Sequence, residues 1–187
     1  MNLLNRREAL KSMVLMMGGT MVGANVILTG CAPEDKIEGL DFSEDDIAYL
    51  DEIGEAIIPT TDTPGAKAAG IGGFMVMMVK DTYNKEQQEN FVNGLNSLKV
   101  AFKEENGTGF MDASVDERTA YLNKLNKAMM DPSNENKPEY IGMLKDLTIL
   151  GYFTSEIGAT QALRYIETPG RYDPCMEYKK GDKAWAI

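Results

Sequence analysis

Histidine is absent from the whole 187-residue sequence. With it go the commonest general base, the usual zinc and copper ligand and the usual axial ligand of haem. Cysteine is nearly absent too. Cys31 and Cys175 are the only two, too few within one chain for a cysteine-built zinc site or an iron–sulfur cluster, and neither begins a C-x-x-C-H haem-attachment run. The expectation is a chain with no cofactor of its own. Basic charge is also scarce: 19 Lys and Arg stand against 29 Asp and Glu, a net charge of −10. Such a surface repels nucleic acid, and its acidity serves solubility before it argues for a basic partner. No stretch shows sustained strand alternation, and there is no internal repeat.

What is present begins with an ordered leader. Asn5-Arg6-Arg7-Glu8-Ala9-Leu10-Lys11 resembles the twin-arginine export pattern S/T-R-R-x-F-L-K, agreeing at both arginines, the leucine and the lysine and departing at Asn5 and Ala9. Residues 12–28 follow, apolar but diluted by Gly18, Gly19, Thr20, Gly23 and Asn25. They are short and weakly hydrophobic beside the roughly 20 residues of a bilayer-spanning helix. Leu28-Thr29-Gly30-Cys31 then matches a lipobox, in which small residues admit the peptidase and the cysteine thiol accepts a diacylglycerol. An uncleaved anchor, or an ordinary secretory signal with a chance arginine pair, explains one of these features at a time. Their order and spacing together point to export with lipidation. Residues 1–30 are therefore expected to be a cleaved twin-arginine-type lipoprotein signal peptide, with Arg6 and Arg7 addressing export. Residues 31–41 form a lipidated tether starting at Cys31, and 42–187 form the folded domain. Acyl chains on both the glycerol and the new amino terminus anchor stably, where one short chain is reversible, so the chain is expected as a membrane-anchored lipoprotein on the periplasmic side. The leader holds Arg6, Arg7 and Lys11 against Glu8, a net +2, so its removal takes the −10 of the whole chain to −12. With Cys31 lipidated, Cys175 is either a buried thiol or paired with another chain.

Within the domain the apolar spacing is helical. Ser43 can cap a helix whose Glu44, Asp45 and Asp46 suit the positive end of its dipole, with Ile47, Leu50, Ile53 and Ile57 on one face until Pro59 stops it. Thr60-Thr61-Asp62-Thr63-Pro64-Gly65 is a turn-rich loop. Residues 71–83 form a second helix carrying Ile71, Phe74, Met75 and Met78, its methionines taken as core packing. Asn84 with Gln87 opens a third, with Phe91, Leu95, Leu98 and Phe102 along it and Asn106-Gly107 at its end. Phe110 and Met111 make a short apolar link. Ser114 with Glu117 is a capping box before Tyr121, Leu122, Leu125 and Met129, and Asp131-Pro132 breaks that helix. Helical spacing resumes at Ile141, Leu144, Leu147 and Thr148 up to Gly151. The fold class is thus all-α: an irregular bundle of about five or six helices with an extended C-terminal arm, preceded by the cleaved signal.

Residues 147–165 carry more specific features. Gly151 allows a sharp exit or a close helix crossing, while Thr154 and Ser155 can cap a following helix with small Gly158 and Ala159. Pro169 and Pro174 rule out a continuous helix beyond. Arg171, Tyr172 and Trp185, on this irregular arm, are residue types enriched at interface anchors. The same side chains could equally fold back on their own bundle.

Three blocks, Ile57-Ile58-Pro59-Thr60-Thr61-Asp62-Thr63-Pro64-Gly65-Ala66, Gly151-Tyr152-Phe153-Thr154-Ser155-Glu156 with Gly158-Ala159-Thr160, and Pro169-Gly170-Arg171-Tyr172, resemble the gluconate 2-dehydrogenase subunit 3 family. That resemblance implies a non-catalytic small subunit associated with a flavin-dependent dehydrogenase large subunit of the glucose-methanol-choline type. FAD is then expected in that partner, with a cytochrome c subunit commonly receiving the electrons. The partner surface is expected at Tyr152, Phe153, Arg164 and Tyr165, and along the arm at Arg171, Tyr172 and Trp185. In one reading the chain escorts and anchors a flavoprotein. In a second it is itself an enzyme using Asp62, Glu156 and Asp173 as acid and base, although turn formation, a helix N-terminal charge and an arginine pairing account for the three more simply. Electron relay by this chain is disfavoured by the missing haem and cluster ligands. A free-standing lipoprotein binding a ligand or surface polymer shares the leader, tether and acidity with the first reading.

Overall fold

The computed structural model describes residues 40–170, 172 and 174–186. Arg6, Arg7, Cys31, Arg171 and Asp173 lie outside the described residues, and so do the leader and most of the tether.

Three of the helices start on reciprocal caps. Helix α1 (Glu44–Ile57) begins where the Ser43 hydroxyl accepts the Asp46 N–H at 3.2 Å and the Asp46 carboxylate accepts the Ser43 N–H at 3.1 Å. It stops ahead of Pro59, which disfavours helical geometry at the residue before it; Ile58 is already out of it, at φ −124° and ψ 87°. A 3-10 turn (Lys67–Ala69) leads into α2 (Ile71–Thr82). Helix α3 (Lys85–Asn106) opens on the Asn84/Gln87 box and ends at Gly107, whose φ of 72° is left-handed backbone open to glycine at no steric cost. A second 3-10 turn (Phe110–Asp112) precedes α4 (Val115–Met130), opened by the Ser114/Glu117 box. Helix α5 (Glu139–Thr154) completes the five α-helices among the described residues. A π-helical turn (Gly158–Ala162) and two parallel two-residue strands follow, β1 (Arg164–Tyr165) and β2 (Trp185–Ala186), with Arg164 opposite Trp185 and Tyr165 opposite Ala186.

The all-α architecture is as the spacing foretold, with differences in detail. Helix α5 does not end at Gly151. It runs one turn further, and Gly151 marks the close crossing instead: a Cβ there would lie 2.6 Å from Phe74 Cδ1 of α2. On α2 the innermost side chains are Ile71, Met75 and Val79, while Phe74 and Met78 are only half-buried. Phe110 is no mere link. It is buried between Tyr49 and Phe102, with ring centroids 5.0 Å from each, and Phe102 in turn meets Tyr121 edge-on at 5.0 Å. The strand pair leaves no alternation in the sequence because two residues do not make a period.

One cation is buried in this core. Arg118 donates from Nε to the Phe110 carbonyl at 2.7 Å and from one terminal nitrogen to the Met111 carbonyl at 2.7 Å; the other pairs with Glu52, which also takes the ammonium of Lys67. Its guanidinium stands 5.4 Å from the Phe110 ring centroid. One hydroxyl in the core is less well served. That of Tyr49 is buried without a hydrogen-bond partner, a cost of roughly 1–3 kcal/mol for such a group. Burial drives its pKa well above the ordinary tyrosine value.

The Glu52 pair gives the fold a testable acid sensitivity. Burial acts to raise the Glu52 carboxyl, but the Lys67 hydrogen bond and the Arg118 charge together outweigh it and hold the group below its ordinary 4.5. A carboxyl whose folded pKa is depressed contributes stability that is present above the unfolded pKa and lost as pH falls through the folded value. Glu52→Gln is therefore expected to cost on the order of 2 kcal/mol at neutral pH. Urea unfolding of variant and parent should converge as pH falls below 4.5 and through the depressed folded value, where the parent's carboxyl becomes as neutral as the glutamine; a stability difference that does not shrink anywhere on the acid side contradicts the assignment.

Candidate partner-binding surface

The first family-like block builds a clamp. Glu55 reaches from the end of α1 to accept the Thr60 N–H at 2.8 Å on one oxygen and the Lys67 N–H at 3.1 Å on the other. The Gly65 N–H meets the Thr60 hydroxyl at 3.0 Å, the Ala66 N–H returns to the Ile58 carbonyl at 2.9 Å, and Ala66 is fully buried. Tyr152 locks the loop from the other side, its hydroxyl donating to the Pro64 carbonyl at 2.6 Å. That bond corrects the sequence expectation for Tyr152. Its side chain is 2 % exposed and belongs to the core, so it offers no surface to a partner.

Of the carboxylates named for acid–base chemistry, two lie among the described residues, and both are exposed. Asp62 sits in the exposed turn and accepts the Thr61 hydroxyl at 3.0 Å. Glu156 is exposed on the turn after Ser155. Asp51 is the carboxyl that burial raises, and it is occupied as a cap, accepting the Gly72 N–H at 2.7 Å at the start of α2. Among the described residues no group of three or more acidic or cysteine side chains is arranged to hold a metal ion, and no helix is long and apolar enough to cross a membrane.

Beyond the buried Tyr152 the same helix turns outward. Phe153 is exposed on the last turn of α5, its ring edge-on to Tyr152 at 5.2 Å, and Ile149 and Leu150 one turn earlier are exposed as well. Neither belongs to a motif in the sequence. The signal was there: with Leu147, Thr148, Gly151 and Tyr152 all buried, the run from Leu147 to Phe153 holds more apolar residues than one inward stripe can hide.

After α5, Ser155 donates to the Tyr152 carbonyl at 2.7 Å and accepts the Gly158 N–H at 3.1 Å, starting the π-helical turn tightly against the helix it leaves. The two segments do meet closely, since a Cβ on Gly158 would fall 1.8 Å from the Tyr152 carbonyl oxygen. The arm then returns to this turn. The Arg164 N–H bonds the Ala184 carbonyl at 2.8 Å and the Ile166 N–H bonds the Ala186 carbonyl at 3.0 Å. Arg164 Nε donates to the Lys183 carbonyl at 2.7 Å, and its guanidinium lies 4.1 Å from the centroid of the Trp185 ring. The Lys183 ammonium reaches back to the Gln161 carbonyl. The structure thus brings Arg164, Tyr165 and Trp185 into one cluster. Of the alternatives left open for the arm, folding back holds for its end at Trp185, while Tyr172 and Tyr178 between the anchored ends stay 90 % and 75 % exposed. Cys175 is exposed too, which removes the buried-thiol alternative.

A family model described as Gluconate 2-dehydrogenase subunit 3 matches residues 44–170. The chain belongs to the gluconate 2-dehydrogenase subunit 3 family. Searches of curated proteins and of solved structures return no match. The family's name is that of a dehydrogenase subunit, so the protein is an accessory subunit of a dehydrogenase complex. The matched residues take in all five helices, the Glu55–Tyr152 clamp, the π-helical turn and β1 of this subunit, and stop before the arm. Phe153, Arg164 and Tyr165 lie inside the match, Tyr172 and Trp185 outside it.

Arg164 is the staple of the arm in this subunit. Arg164→Ala removes a charge-assisted bond and a cation–aromatic contact, about 1–2 kcal/mol together. Limited trypsin digestion is expected to cleave at Lys179 and Lys180 about tenfold faster than in the parent, with helix content unchanged, because cleavage follows the population of the opened arm. An unchanged cleavage rate would show that the arm is held by other contacts.

Proposed function

We propose that this subunit escorts a flavin-dependent dehydrogenase of the glucose-methanol-choline type through twin-arginine export and holds it at the membrane by the lipid on Cys31. Membership of the subunit 3 family carries the reading. The leader deepens it. Twin-arginine export moves proteins already folded, and a chain without histidine, with no metal-holding cluster among its described residues, has no evident cofactor that demands folding first. A partner that takes up FAD in the cytoplasm does. One leader, addressed by Arg6 and Arg7, then serves two chains, and the assembled enzyme works on the periplasmic side, passing electrons to a cytochrome c subunit.

In this reading the partner seats on the exposed apolar end of α5 and the adjoining arm. Ile149, Leu150 and Phe153 supply area that costs solvation when left bare. Tyr165, Tyr172, Trp185 and the arginines 164 and 171 supply the aromatic and cationic types that anchor interfaces. Catalysis and flavin reside in the partner.

The decisive cellular test is transport. A large dehydrogenase subunit lacking a leader is expected in the periplasm when this chain is present, and to remain in the cytoplasm when the chain is deleted or carries Arg6→Lys with Arg7→Lys. Periplasmic dehydrogenase in the deletion strain would sink the escort role.

A further inference from the structure

A cleft opens between the end of α1 and the facing sides of α4 and α5, with a cavity volume of ≈ 270 Å³. Its floor is apolar, formed by Ile57, Leu122, Ile141 and Leu144. Its rim is polar and carries a single charge, Lys145, with Asn123 and Asn126 beside it. Thr119, also at the cleft, is already committed, its hydroxyl donating to the Ala56 carbonyl at 3.0 Å.

The rim charge is one of two half-buried lysines among the described residues. Acidic residues outnumber basic ones by 29 to 19, and the other of the two, Lys99, pairs with Asp46. Lys145 is half-buried and makes no such pair; its ammonium meets the side-chain oxygen of Asn126 at 3.4 Å, the outer edge of a hydrogen bond. That contact spends the oxygen of Asn126 and leaves its amide N–H groups to face an acceptor. A partly desolvated ammonium gains from an anion far more than a solvated one does.

We propose that this cleft binds a small amphipathic monocarboxylate, its apolar body on the Leu122–Ile141–Leu144 floor and its carboxylate on Lys145 and the Asn126 amide. One ammonium answers one negative charge, and a dianion would meet the repulsion of the acidic chain around it. Size follows from the volume. An apolar cavity of about 150 Å³ accepts benzene, so this one suits a body of roughly eight carbons. A polyhydroxylated acid of similar length has the carboxylate but would set its hydroxyls against an apolar floor that cannot bond them. This site is independent of the partner surface, and its test does not depend on any partner.

The test uses the full chain carrying Cys31→Ser, purified without detergent, and calorimetric titration with three probes: octanoate, 1-octanol and gluconate. Octanoate is expected to bind with a Kd on the order of 0.1–1 mM, 1-octanol about tenfold more weakly, and gluconate not measurably. Lys145→Gln should weaken octanoate about tenfold while leaving 1-octanol unchanged. Asn126→Asp, which supplies the ammonium with an internal carboxylate, should weaken octanoate as much with helix content intact, so that the charge argument stands apart from any folding defect. Absence of octanoate binding, equal binding of octanoate and 1-octanol, binding of gluconate as tight as octanoate, or octanoate affinity unmoved by Lys145→Gln would each overturn the proposal.

Discussion

Arg118 is the cation about which four segments of the domain are set. A guanidinium taken out of water must have its N–H groups answered or the fold will not hold it. Here the answers come from the Phe110 and Met111 carbonyls and from Glu52 on α1, with Lys67 joined through the same glutamate. One side chain on α4 thereby fixes the 3-10 turn that carries Phe110 into the core, the rotation of α1, and the start of the path toward α2. The aromatic line from Tyr49 through Phe110 and Phe102 to Tyr121 depends on that turn being where it is. The clamp of Glu55 and Tyr152 on the 58–70 loop repeats the logic without buried cations: a carboxylate and a phenol satisfy the backbone of a loop too irregular to satisfy itself.

The helices were legible because their signals are local. The Asn84 and Ser114 boxes, the Ser43 cap, and the spacing of Phe91, Leu95, Leu98 and Phe102 each lie within one element and are found as expected. What was not legible depends on partners distant in sequence. Arg118 follows Asp116 and Glu117 in a charged first turn and reads as solvated surface, and nothing local ties it to Glu52, 66 residues away. Gly151 could end a helix or permit a crossing, and only the position of Phe74 on another helix decides between them. Tyr152 and Phe153 are adjacent aromatics of similar character, yet a helix turns them roughly 100° apart, one into the core and one outward, and the Pro64 carbonyl, 88 residues earlier, claims the hydroxyl of the first.

That division within one family-like block bears on function. Its buried half, Gly151, Tyr152 and Gly158, holds the bundle together, and its exposed half, Phe153 with Ile149 and Leu150 before it, is left without internal cover. The block therefore combines a structural requirement with a surface, and the arm stapled to it by Arg164 widens that surface with residues lying beyond the family match. In the escort reading, burial of this surface against a large flavoprotein is what turns a small acidic domain into the carrier of a redox enzyme.

Affinity purification of the tagged native chain from detergent-solubilised membranes, recording the visible spectrum of the eluate and the identity of any stoichiometric companion, tests that reading most directly. A yellow eluate containing a large flavin dehydrogenase is the expected result. A colourless eluate holding this chain alone would contradict it and leave a lipoprotein acting by itself.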